Sequence, residues 1–192
     1  GSATLTNVLV SGNSVTGFSG DGILIDPVFG PVVIGNTISD VGGNGIEVSA
    51  PQGGVTITGN VVNSAALNAI YVHDAVGIGT DVITIGGNTI GNDDSSGTIG
   101  GGGIVGDNNG GFAGDIVVSG NRISIDTDGA GTLTPAAVSG SGISLVDSGG
   151  GVTVSGNTIA NPLQSGITIY NAAGQVDVGI NGVSGSGLNL ID

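Results

Sequence analysis

Cysteine, methionine and tryptophan are absent from the chain. Without cysteine there is no disulfide and no thiolate chemistry, although secretion stays open, because many secreted chains also lack it. Basic residues are almost as scarce. Arg122 is the single Lys or Arg against 15 Asp and Glu, and the formal net charge is -14. With no cations to neutralise phosphates, nucleic acid is excluded as a partner. An anionic membrane surface repels the chain for the same reason. Aromatic residues are only 3%, so the core must be built from Val, Ile and Ala, which suits strands better than helices. No apolar run approaches the roughly 20 residues of a membrane helix, and no signal peptide is visible. Charged residues are only 8% while hydrophobic ones are 38%. Disordered chains show the opposite balance, so the chain folds.

What is present is glycine, in 42 copies, and a phrase that recurs from end to end. Its clearest copy is Val152-Thr153-Val154-Ser155-Gly156-Asn157-Thr158-Ile159. The recurring asparagines are Asn13, Asn36, Asn60, Asn88, Asn121, Asn157 and Asn181, separated by 23, 24, 28, 33, 36 and 24 residues. The short steps define a unit near 24 residues, and the long ones read as that unit with insertions. A second phrase follows each Asn, as in Gly22-Ile23-Leu24-Ile25, Gly45-Ile46-Glu47-Val48 and Gly166-Ile167-Thr168-Ile169.

Three columns are aliphatic without exception. Val10, Val33, Ile57, Ile85, Val118, Val154 and Val178 stand three residues before each Asn. Val15 to Val183 stand two after it, and Ile23 to Leu188 are the second residue of the second phrase. Around them apolar and polar positions alternate with a period of two, the signature of strands, and no segment keeps a helical stripe. Columns that recur in every unit mean that like strands stack on like strands. The reading is an all-β, single-stranded parallel solenoid of about seven coils, each with three short strands. At about 4.8 Å per coil the rod is on the order of 30 Å long. The Gly-Asn bend predicts a left-handed backbone at Asn and a ladder of Asn side chains bonding one another and the bend. Gly1-Ser2 reads as an expression scar and residues 3–192 as one domain, expected to be part of a longer protein.

On these residues the chain resembles the right-handed parallel β-helix, or pectin-lyase-like, family with its Asn ladder, from Val8 to about Ile191. The resemblance makes the Gly-Ile strand the first of each coil, the strand before Asn the second, and the strand after it the third. It is specific for fold, because the same coil serves polysaccharide lyases and hydrolases, phage tailspikes, and bacterial adhesins. In the family's enzymes the substrate groove follows the first strand. The lyases use Arg or Lys against a uronate; this chain has no Lys, and Arg122 directly follows a ladder Asn. The hydrolases use paired Asp with Gly-His-Gly; here His73 stands in Val-His-Asp and Asp93-Asp94 stands in an insertion.

Function is expected on loops and on the outer face of the first strands. Glu47, Tyr71, His73, Asp107 and Tyr170 are the candidate ligand-binding residues, suited to stacking on sugars or to acid-base work on a glycan. Asp93 and Asp94 in one insertion, and Asp126 and Asp128 before Gly129 in the next, are candidate calcium ligands. The expected function is a non-catalytic structural or binding rod of a secreted or cell-surface bacterial protein, of adhesin or passenger type. Carbohydrate or a surface receptor would be its partner, with neighbouring domains or end-to-end self-association at its open coil ends. The alternatives are a polysaccharide lyase or hydrolase, or a fragment of one, and a calcium-dependent surface-layer or matrix protein.

Overall fold

The computed structural model describes residues 5–91, 98–107, 109, 111–124, 138–160 and 162–184, and the backbone of 190–191. Among these residues every regular element is a strand. Three seven-stranded sheets, parallel throughout, run the length of the molecule. The first-strand sheet contains Ile23–Ile25, Ile46–Ser49, Ile70–His73, Ile104–Asp107, Ile143–Val146, Ile167–Tyr170 and Leu190–Ile191. The second-strand sheet begins with Leu9–Ser11 and Val32–Ile34 and ends with Val176–Val178. The third-strand sheet runs from Ser14–Thr16 to Gly182–Ser184. Each strand pairs only with its counterparts in the adjacent coils, so the chain winds as a seven-coil parallel β-helix.

The register is what the columns demand. Ile70 stands opposite Ile46 and Ile104, Ile85 opposite Ile57 and Val118, and Ile90 opposite Val62 and Ile123. All of these side chains are fully buried. At a coil spacing of about 4.8 Å, β-branched residues stack on one another, and each buried Ile or Val contributes about 1.5–3 kcal/mol. Further buried positions stack between the strands: Val41, Ala65, Ile99 and Val138 form one run of isolated parallel bridges. Ile99 and Val138, after the two long insertions, stand in the same register as Val41 and Ala65. A short fourth pairing joins Leu5–Thr6 to Val28–Phe29, and bridges continue it through Gln52 to Val76.

The Asn ladder is complete. In each step the Oδ1 of one Asn accepts both the backbone N–H and a side-chain Nδ2–H of the Asn in the coil before. For Asn121 and Asn88 the distances are 3.0 and 2.9 Å. The Nδ2 group of Asn121 also donates to Ile85 C=O of the preceding coil, at 2.9 Å. The expectation of a left-handed Asn is corrected. The glycine before each of the first six ladder asparagines takes that conformation, with φ between 62° and 66°, and the asparagines do not. Glycine makes the bend at no steric cost, and Asn is there for its amide.

A candidate ligand-binding face

The alternation of Ile70-Tyr71-Val72-His73 sends Ile70 and Val72 into the core and leaves Tyr71 and His73 on the outer face. Tyr71 lies in register between Glu47 and Val105, and His73 between Ser49 and Asp107. The structure thus brings Glu47, Tyr71, His73 and Asp107 onto three consecutive strands of one face. The imidazole of His73 stacks on the Tyr71 ring, with centroids 4.4 Å apart and planes 19° from parallel. Its Nε2 lies 3.2 Å from Glu47 Oε1 and its Nδ1 2.8 Å from Asp74 Oδ2. With the ring protonated, both N–H groups donate to carboxylates. The other oxygen of Glu47, Oε2, accepts from Asn44 Nδ2–H.

Burial lowers the affinity of His73 for its proton, but the hydrogen bonds and charges of Asp74 and Glu47 outweigh it. The imidazole pKa stands above its ordinary 6.5. Burial also raises the Tyr71 hydroxyl above its ordinary value, and the charges of Asp107, Asp74 and Glu47 add to the effect. The tyrosine is therefore a hydrogen-bond donor at neutral pH. The face offers an aromatic ring, a hydroxyl donor and carboxylate acceptors, held in place by the His73 ring.

Tyr170 shares the His73 column but lies three strands further on, about 14 Å away at the β spacing, so it stands apart from the cluster. Between them the same face carries a depression of about 260 Å³ lined by Gly101, Val105, Ser141, Ser144 and Gln164. Its lining has no charged side chain. Arg122 projects from the third-strand sheet, exposed, on a different side of the coil. The candidate calcium ligands Asp93, Asp94, Asp126 and Asp128 lie outside the described residues. Among the described residues no group of three or more His, Cys, Asp or Glu is placed to hold a metal ion.

Two features escaped the reading of the sequence. Asp74 is one; its place behind His73 in a left-handed bend, φ 55°, turns its carboxylate back to the ring. The other is a second, shorter ladder of opposite direction. Asp21 Oδ1 accepts from Asn44 N–H at 2.6 Å, Asn44 Oδ1 from Asn68 N–H at 3.0 Å, and Asn68 Oδ1 from Gly102 N–H at 2.8 Å. Its signal is the polar residue before each second phrase, in Asp21-Gly22, Asn44-Gly45 and Asn68-Ala69. This ladder fixes Asn44, and through it Glu47.

Three parallel sheets, one strand of each per coil, and a ladder of buried amides define a parallel β-helix. Residues 3–90 match the family model of the right handed beta helix region. The coils beyond residue 90 continue the same three sheets in the same register. Comparisons with curated proteins and with solved structures give no match.

Proposed function

We propose that the chain is a structural and binding segment of a secreted or cell-surface bacterial protein, a rod that presents its first-strand face to a glycan and does not cleave it. One observation carries this reading. His73 is the chain's one histidine, and both of its ring nitrogens are tied to carboxylates while its ring covers Tyr71. An imidazole held in this way is a fixed part of a surface, whereas a general base needs a nitrogen free to take a proton from substrate. The neutral depression beside it, with Ser, Gln and glycine backbone, continues the face with groups that suit sugar hydroxyls.

The test is to titrate the chain with a panel of soluble oligosaccharides by calorimetry and to assay the same mixtures for new reducing ends and unsaturated products. Binding without product formation, weakened by Tyr71→Ala, is the expected result. Product that disappears on changing Glu47→Gln or Asp107→Asn would make the chain a glycan-cleaving enzyme and overturn the reading.

A further inference from the structure

We propose that the Tyr71 cluster selects a cationic glycan, one whose sugars carry protonated amines. The inference rests on the glycan-binding reading and specifies the charge of the ligand.

Three carboxylates converge on the tyrosine. Glu47 and Asp74 reach the stacked imidazole, and Asp107 stands in register beside His73 on the next strand. With His73 protonated the cluster still carries an excess of two negative charges. A sugar acid placed here meets carboxylates and no free cation, because the one arginine stands on the third-strand sheet. The Tyr71 ring already stacks on the His73 ring at 4.4 Å, a cation whenever that imidazole is protonated. An ammonium group set against an aromatic face and carboxylates gains both cation–π and charge-assisted hydrogen-bond energy. In its protonated form the stacked His73 ring is an internal example of the group the site accepts.

The wider face suggests a polymer rather than a single amine. Asp26 follows the first strand of coil one, Glu47 stands on that of coil two, Asp74 follows that of coil three, Asp107 ends that of coil four, and Asp147 follows that of coil five. Five consecutive coils each supply one carboxylate to this side of the rod, about 4.8 Å apart along its axis. A chain of amino sugars lying along that axis meets a carboxylate at each coil, and beyond coil four it reaches the uncharged Ser141–Ser144 depression.

The experiment compares three probes by calorimetry at about pH 5.5 and about 0.15 M salt, where carboxylates are ionised. They are a fully deacetylated glucosamine hexamer, its N-acetylated counterpart and a galacturonate hexamer. The deacetylated hexamer is expected to bind at least about tenfold more tightly than the N-acetylated one, and the galacturonate hexamer not at all. Tyr71→Leu and Asp107→Asn each weaken the deacetylated hexamer by about tenfold, while Tyr71→Phe, which keeps the ring, retains most of the binding. Asp40→Asn removes a carboxylate at the end of a third strand and is expected to change nothing. If Asp40→Asn weakens binding as much as Asp107→Asn, the attraction is that of an acidic chain as a whole and the proposed site falls. Equal binding of the two glucosamine hexamers, lost in Tyr71→Leu, overturns the amine preference and keeps the glycan reading. No binding of any probe overturns both.

Discussion

Asn121 is fully buried, and its Oδ1 is the acceptor for the backbone N–H of Asn88, also fully buried. Asn121→Ala leaves that N–H, the Asn88 amide and Ile85 C=O short of partners in a place water does not reach. An unmet buried polar group costs about 1–3 kcal/mol, so the expected loss is about 3 kcal/mol or more by urea unfolding. Asn13 is the contrasting case. It is exposed, it accepts nothing from an earlier ladder Asn, and its backbone N–H keeps Asn36 Oδ1 as acceptor. Asn13→Ala is expected to cost under about 1 kcal/mol. Equal losses at the two positions would mean that the ladder stabilises by something other than buried amide satisfaction. Ala50 is strained in the opposite sense, with φ 46° in a bend where Asp74, Asp147 and Asn171 stand in later coils. The left-handed conformation costs a Cβ-bearing residue about 1–2 kcal/mol, against about 0.5–1 kcal/mol of chain entropy for glycine. Ala50→Gly is therefore expected to stabilise by about 0.5 kcal/mol, read as a higher urea midpoint. At this scale the ladder was legible because Asn recurs in a fixed place. The division of labour within Gly-Asn was not, because a sequence pattern shows that two residues travel together without showing which one bends the backbone.

A strand of this helix is short and has one buried face, so its outer side chains are joined to the next coil mainly by backbone bonds. Ile70–His73 has a side-chain link as well. His73 links it to Glu47 on Ile46–Ser49 by a side-chain contact across coils. That link has a pH signature. Unfolded, His73 titrates near 6.5; folded, its pKa is raised by Asp74 and Glu47 against the opposing effect of burial. Below about pH 6.5 both states are protonated and the full stabilisation is present. It is lost as pH rises through the folded pKa, where the imidazole becomes neutral in the native state too. The melting-temperature gap between wild type and His73→Gln is expected to be largest near pH 6 and to narrow toward pH 9, a range in which the carboxylates stay ionised. A gap that widened with pH would mean that the neutral ring makes the stabilising contact. The alternation of Ile70-Tyr71-Val72-His73 and the equivalent position of Glu47 one coil earlier are enough to place these residues on one face. The stack and the Asp74 contact were not readable, since they depend on side-chain rotamers and on a left-handed bend that the pattern Val-His-Asp does not specify.

Over the whole molecule one charge sign dominates, with 15 acidic residues against one arginine. The structure gives that excess no internal outlet: among the described residues the ion pairs are those of His73 with Glu47 and Asp74. Coils about 4.8 Å apart place carboxylates of neighbouring turns within a Debye length of one another at physiological salt. Self-repulsion therefore acts along the rod and opposes the compact state, while the Asn ladder and the aliphatic columns hold it. Screening weakens the first and leaves the second almost untouched, so the melting temperature is expected to rise with sodium chloride from about 0.01 M to about 0.3 M, as the Debye length falls from about 30 Å toward 6 Å. A fall over that range would make the two carboxylate contacts of His73, and not repulsion, the dominant electrostatic contribution. Calcium separates screening from binding. At ionic strength matched to sodium chloride, pure screening gives the same rise with either salt. An additional rise with calcium, lost in Asp126→Asn with Asp128→Asn and kept in Glu47→Gln, would assign the divalent ion to the insertion and leave the Tyr71 face to its own ligand.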